Sequence, residues 1–466
     1  MKFIVTGLCL NFSSLGASAV TLDEYMNLVL KKNQLLNSYE ISIEASKEKQ
    51  TAGDLSLSPT LTAGYSIATD KSEPIIVADK RTTTLSNIGL AKKFSSGTTV
   101  SLTADTSKND YELPVTAGNT GFSRAGLGIN LQQSLWKDFF GVGIRLRQDR
   151  EVILNKFETY GFELQRRRTL IEAESDFWDY IVAQEDLKLK TANLERAKKL
   201  DSWTANRVYN GISDKSDLLQ VRALTSLREL EFATVQDELK TREIKIKLNI
   251  NLAESENMPE LSANLKDTRT YIADMVQKKN IVKIESYLNL LDAELKQKLA
   301  EEVTDSQRPD LTLIGRYNTS SYNIDYAEAQ KNISKTDRPI TFAGLSFSWM
   351  FGSDAKSSQV SAAKKDALAA KYKAEQAQIA SENAWKEHLR KYELTNKNVL
   401  TLEKIAQLQR DRAAAEREKF SKGRTITSNV VNAETDSAEA DVNYLKAKSG
   451  LRKLEAATQL FISVVD

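Results

Sequence analysis

Apolar positions along the chain change their spacing several times, and the order of the changes runs twice. From Thr21 to about Ser56, Leu22, Met26, Val29, Leu36 and Ile43 recur at four, three and seven, which predicts a helical stretch. Thr21 with Glu24 makes a capping box at its start. At Pro59 the period drops to two, and Leu61, Ala63, Tyr65 and Ile67 alternate with Thr60, Thr62, Gly64 and Ser66. The alternation returns in Ile88, Leu90, Lys92 and Phe94, in Val100, Leu102 and Ala104, and in Leu127, Ile129 and Leu131. These are four strands with one apolar and one polar or small face. From Trp136 to Asn210 the spacing is helical again and free of proline, and about seventy helical residues would run on the order of 100 Å. A partner helix follows from about Ser213 to Leu252.

Polar residues 253–267, with Pro259, read as a linker, and then the series restarts. Ile281, Ile284, Leu288, Leu291 and Leu295 keep a heptad spacing. Arg308-Pro309 echoes Ser58-Pro59, Leu311, Leu313 and Tyr317 begin a strand, and Leu345, Phe347, Trp349 and Phe351 form the returning one. A second long helix runs from about Asp354 to Phe420, and a last helix ends near Phe461. Each half therefore ends in a helical hairpin whose turn holds an aromatic residue and a glycine: Tyr209 with Gly211, and Phe420 with Gly423. Glycine accepts the left-handed conformation that ends a helix, and Ser213 or Ser216, and Thr425 or Ser428, are placed to cap the returning helices. Pro59 and Pro309 are 250 residues apart, whereas Gly211 and Gly423 are 212 apart. The first half thus holds about 38 extra residues, the length of one additional β-hairpin at about 82–107. The chain divides into a leader at 1–19, a first repeat at 20–252, the linker, and a second repeat at 268–466.

Composition narrows the class. Charged residues make up 27% of the 466, but the net charge is only +2, which gives no sign of nucleic-acid binding. Residues 1–19 resemble a secretory leader, with Lys2, an apolar run from Phe3 to Leu10, and Ala17-Ser18-Ala19 as a cleavage site. The one cysteine, Cys9, lies inside that leader, so no disulfide or cysteine-bound metal is expected afterwards. No later segment approaches the apolar run a transmembrane helix needs. Entry into a membrane would therefore be as a β-barrel.

Segments 59–69, 82–94, 97–107, 124–135, 309–319 and 340–351 have the length and alternation of membrane strands. Trp136, Phe139 and Phe140 in one half, and Trp349 and Phe351 in the other, gather where strands meet long helices, as a membrane-interface girdle would. A soluble β-sandwich is the plainer alternative, and with it a secreted or periplasmic coiled-coil scaffold. A closed membrane barrel takes at least eight strands, so several chains would share one. The fold class is α+β and mostly α.

The twofold repeat, the proline-led strands, the aromatic–glycine turns and the stretch from Gly423 to Ala433 resemble TolC-type outer-membrane efflux proteins across essentially the whole mature chain. The resemblance implies a homotrimer whose strands form one outer-membrane barrel continuous with a periplasmic α-helical barrel. It also implies an equatorial belt built from the linker and the C-terminus. Such proteins are passive exit ducts for drugs or secreted proteins, docked onto a periplasmic adaptor and an inner-membrane transporter. The hairpin tips at Gly211, Ser213, Gly423, Arg424 and Thr425 then become adaptor-docking positions. The family's periplasmic gate falls at Phe420, Asn429 and Asn432, with Asp217 and Gln220 at the equivalent places in the first repeat. The family's best-known member has a tyrosine where Phe420 stands and inward aspartates where Asn429 and Asn432 stand, so the second-repeat carboxylates are missing here. Twelve strands per trimer is the family's usual count and the expectation, with the extra hairpin an elaboration; six strands per chain would make eighteen.

Other chemistry is sparse. His388, the only histidine, falls on a charged helix face and is expected to be solvated. Gly126-Leu127-Gly128 and Gly141-Val142-Gly143 lack the third glycine and the context of a dinucleotide site. Arg145, Arg147 and Arg150, with Arg166 to Arg168, read as solvated helix surface, with contact between the first three and anionic lipid head groups as the alternative. Neither an enzyme nor a cofactor is expected.

Overall fold

The computed structural model describes residues 20–72, 80–112, 120–265, 270–335, 339–352 and 354–464. The expected leader, with Cys9, lies outside them, as does the end of the expected linker. The chain forms two compact units, one made of Glu44–Thr159 and Leu288–Gln376, the other of the segments up to Ile43, Tyr160–Tyr287 and from Ala377 onward.

The first of these holds one antiparallel sheet built from β1 (Thr60–Asp70), β2 (Lys80–Lys93), β3 (Thr98–Glu112), β4 (Thr120–Ser134), β6 (Asp310–Asn318) and β8 (Ile340–Ser348), in that order. A short β7 (Ser321–Asn323) pairs β4, and α7 (Tyr326–Lys331) follows it. Both lie where the sequence reads only as a polar loop. Register turns the separate alternations into one surface. Leu61 faces Leu90, Leu90 faces Leu102, Leu102 faces Ile129, and Ile129 faces Tyr317. The next row runs Ala63, Ile88, Ala104, Leu127. Because side chains alternate between faces, these positions share one side of the sheet. The other side carries Thr62, Asn87, Thr103, Gly128 and their like, interrupted by a few apolar residues such as Leu85 and Phe342. The hairpin β2–β3 is not an elaboration: it stands inside the sheet, and β1 reaches β4 only through it.

The sheet has little core of its own. Leu61, Tyr65, Ile67, Leu345 and Phe347 each leave more than half of their surface exposed (71, 69, 60, 66 and 58%). The long helix α3 begins at Val142, not at Trp136 as the spacing predicts. Asp138 and Phe140 hold left-handed backbone (φ 54° and 42°), which no helix tolerates. The Asp138 N–H donates to Asp305 Oδ2 at 2.9 Å and its own Oδ1 accepts from the Ile144 N–H at 3.1 Å, so a local polar bracket delays the helix start.

The second unit is helical. It takes in α1 (Leu22–Lys32), α4 (Lys215–Asn249), α5 (Tyr271–Val276) and α9 (Thr427–Ala457). The helices α2 (Gln34–Ala52), α3 (Val142–Tyr209), α6 (Ile284–Ser306) and α8 (Asp354–Ser421) contribute residues to both units. The single helix predicted from Thr21 is broken at Asn33, whose side-chain carbonyl accepts from the Leu35 and Leu36 N–H groups and whose amide donates to the Asn249 carbonyl. Tyr25, Val29, Phe177, Trp178, Ile246, Ile250 and Leu261 form the largest buried cluster. Here α9 is enclosed on most sides, which its run of Ala and Ser permits by letting neighbours approach closely. A two-stranded sheet joins β5 (Ile281–Lys283) to β9 (Phe461–Ser463), so Ile281 belongs to a strand and not to the heptad helix that the sequence suggests.

Candidate pore gate and membrane-facing surface

Both hairpin tips close with the same backbone device. Gly211 and Gly423 have φ of +67° and +72°, the conformation that only glycine adopts without strain. The Ile212 N–H donates to the Arg207 carbonyl at 2.8 Å and the Gly211 N–H to Val208 at 3.0 Å; Arg424 to Lys419 and Gly423 to Phe420 repeat the pattern at 2.8 and 3.0 Å. This is the paired Schellman closure of a helix C-terminus.

The caps of the returning helices differ from those expected. The N-cap of α4 is Asp214, and Ser213 instead accepts a hydrogen bond from Arg207 Nε at 3.3 Å. The N-cap of α9 is Ile426, which has no capping side chain. Thr425 donates to Glu416 Oε2 at 2.9 Å and accepts from Asn429 Nδ2 at 3.2 Å.

The candidate gate residues differ in exposure. Asn429, Asn432 and Gln220 are exposed, and so are Gly211, Gly423 and Arg424. Asp217 is half-buried and accepts the Asp214 N–H at 3.4 Å, a helix-capping role. Phe420 lines no surface: it is 2% exposed and packs with Leu200, Val221, Leu224 and Val430. Its ring could reach a pore only by leaving that cluster.

Around Phe420 lies a set of charges that the sequence does not advertise. The Arg207 guanidinium stands 4.8 Å from the Phe420 ring centroid, and its Nη1 donates to the Phe420 carbonyl at 3.3 Å. Glu434, nearly buried on α9, takes Arg196 Nε at 3.2 Å and Arg417 on its other oxygen. Buried Arg228 donates at 3.5 Å to the Glu434 carbonyl and at 2.8 Å to Glu231, which Lys190 also meets at 3.0 Å. One heptad further along, Asp441 holds Arg410 Nε at 2.7 Å. The only hint in the sequence is carboxylates seven apart, Glu434 and Asp441, in a helix otherwise rich in Ala and Ser.

In the sheet unit, Trp136, Phe139, Phe140, Trp349 and Phe351 are all exposed, Phe351 by 75%. Phe139 and Phe140 meet edge to face at 4.8 Å, and Lys356 Nζ lies 5.7 Å from the Trp349 ring. The arginine clusters lie at the surface as expected, Arg145 and Arg168 exposed and the others half-buried, but they hold partners. Arg147 donates to Ser56 Oγ at 2.7 Å, Arg150 pairs Glu302 at 3.1 Å, and Arg145 donates to the Phe140 carbonyl. In the helical unit Arg167 pairs Glu163 and donates to the Gln459 carbonyl at 2.7 Å, and Arg168 pairs Glu285. His388 is half-buried, more enclosed than expected. Its Nε2 sits 2.9 Å from Thr458 Oγ1, and its ring stacks at 6.0 and 5.3 Å from Trp385 and Phe461. Burial, with Lys391 and Lys283 nearby, holds its pKa below the ordinary value. Among the described residues no cluster of His, Cys, Asp and Glu is arranged to hold a metal, and no helix is long and apolar enough to cross a membrane.

No family model matches the sequence, and neither does any curated protein. Solved structures do. The outer-membrane channel OprN superposes with a TM-score of 0.68 at 16% identity, over 94% of this chain and 89% of its own. The outer-membrane protein VceC of Vibrio cholerae gives 0.67 at 11% identity, over 94 and 95%. The CmeC outer-membrane channel of Campylobacter jejuni gives 0.65 at 14%, over 97 and 90%. This chain therefore has the fold of the TolC-type outer-membrane channels.

Proposed function

We propose that this chain is the outer-membrane exit duct of an efflux or type I secretion system. Strands from three copies close one barrel in the outer membrane, and the paired long helices line a periplasmic conduit that docks onto an adaptor and an inner-membrane transporter. The observation that carries this reading is the sheet: a continuous apolar face left exposed, backed by a face of Thr, Ser, Asn and Gly, in a chain with this fold. A lipid-facing wall with a wet lumen behind it needs that division. A soluble scaffold would have to hide the same face, and within the sheet unit its apolar side chains stay open.

The periplasmic tips serve as the gate. Arg207 on Phe420, with Arg196 and Arg228 on Glu434, ties one helical hairpin to the other, so opening requires these contacts to part. Closure rests on packing and buried ion pairs, with neutral Asn429 and Asn432 where a ring of carboxylates would otherwise stand.

Membrane fractionation tests the reading. The intact protein is expected in the outer-membrane fraction, released by detergent as a trimer that dissociates on heating. Leu127→Arg or Phe347→Arg is expected to prevent that assembly, since a cation on the lipid face costs about 2–4 kcal/mol per copy at mid-depth. A freely soluble wild-type monomer would refute the proposal.

A further inference from the structure

Among the described residues β1 pairs only with β2, and β8 only with β6, so the sheet ends in two open edges of 11 and 9 residues. Every neighbouring pair on the path between them is antiparallel. An even number of antiparallel strands leaves its two edges running in opposite directions. β8 of one copy therefore meets β1 of the next copy antiparallel, and the apolar and polar faces continue across the junction. Both edges are long and exposed, with Leu61, Tyr65 and Ile67 on one and Leu345 and Phe347 on the other, and such edges are templates for a further strand. Six strands are too few to close a membrane barrel, which begins at eight. A second copy of this chain is the partner the edges fit.

On the shared-trimer reading above, we infer that the barrel wall has eighteen strands, six from each copy, with the β2–β3 hairpin a structural part of the wall. The hairpin is the best-paired element of the sheet. β2 meets β1 through eleven consecutive positions and β3 through fourteen, and β3 meets β4 through another fourteen. A twelve-stranded wall would need β1 to abandon its only ladder and pair with β4. Barrel diameter grows almost linearly with strand number, so eighteen strands make a section about half as wide again as twelve, in the range where an aqueous channel remains open. Its lumen face offers mainly hydroxyl and amide groups, with Arg316 held by Asn130 at 2.7 Å and Arg124 by Asp105 at 3.4 Å. The membrane section would thus pass bulky hydrophilic solutes, and constriction would belong to the helical tips.

Cysteine pairs in the membrane-assembled full chain test this, against a background whose one natural cysteine is Cys9. Ala63→Cys is combined with Ile88→Cys, with Thr341→Cys, Ala343→Cys or Leu345→Cys on β8, and with Ala125→Cys, Leu127→Cys or Ile129→Cys on β4. In the proposed wall β1 and β4 lie three strand spacings apart, about 14 Å, beyond the reach of a disulfide. The expected result is an intrachain bond to Ile88→Cys, an interchain ladder through β8 that ends at three copies, and no bond to β4. A β1–β4 bond would overturn the eighteen-stranded wall, while a ladder in the same sample would leave the shared duct standing. A single-copy protein with no interchain bond at any β8 position would overturn both.

Discussion

At the scale of single residues, the tip exchanges charge for packing. Asn429 and Asn432 are exposed and neutral, while Asp217 caps a helix and Glu434 is enclosed by arginines. In the proposed trimeric gate, Asn432→Asp or Asn429→Asp would place three carboxylates together in a narrow passage, where they attract cations. Single-channel current is then expected to become sensitive to divalent cations, and that of the wild type to be indifferent to them. Current in the variants that stays indifferent to divalents would remove these positions from the pore lining. His388 makes a second residue-scale case. Its folded pKa is depressed from about 6.5, so its contribution to stability is complete above that value and is lost as pH falls below it. Melting followed from pH 7.5 to 5.5 should therefore drop more steeply in the wild type than in His388→Gln, and equal slopes would argue against a buried neutral ring. Neither the Arg207–Phe420 contact nor the partial burial of His388 was legible in the sequence. Arg207 and Phe420 lie 213 positions apart, and His388 is covered by Thr458 and Phe461 from the chain's far end.

At the scale of elements, the period of the apolar positions carried most of the fold. Six strands and the long helices fell within a few residues of their predicted places, because exposed long helices and half-wet strands keep strict periods. Two of the errors share a cause: polar side chains that answer backbone groups locally. Asn33 cuts one predicted helix in two, and Asp138 holds back the start of α3. The strand at Ile281–Lys283 exists because Phe461–Ser463 pairs with it, which no local pattern announces. The two glycine turns were the clearest local signal. At each of them a Cβ would meet no atom within 4 Å, so substitution would incur the backbone term alone. Gly211→Ala or Gly423→Ala is expected to destabilise its hairpin by about 1 kcal/mol, read as faster amide exchange confined to the tip. An unchanged exchange rate would mean that the left-handed turn does not limit tip stability.

At the scale of the whole molecule, the sheet's two faces were legible from alternation, but their union into one wall was not. Register decides it, and register comes from pairing between segments as distant as Ile129 and Tyr317. The same pairing puts the extra hairpin inside the sheet. The proposed duct needs a wall with lipid on one side and water on the other, and conduction tests it most directly. Detergent-extracted protein added to a planar lipid bilayer should produce discrete, long-lived current steps, rare with the tips closed and more frequent in Arg207→Gln, which loses the hold on Phe420. Protein that enters the bilayer as an assembled oligomer and passes no ionic current, in the wild type and in Arg207→Gln alike, would contradict the account.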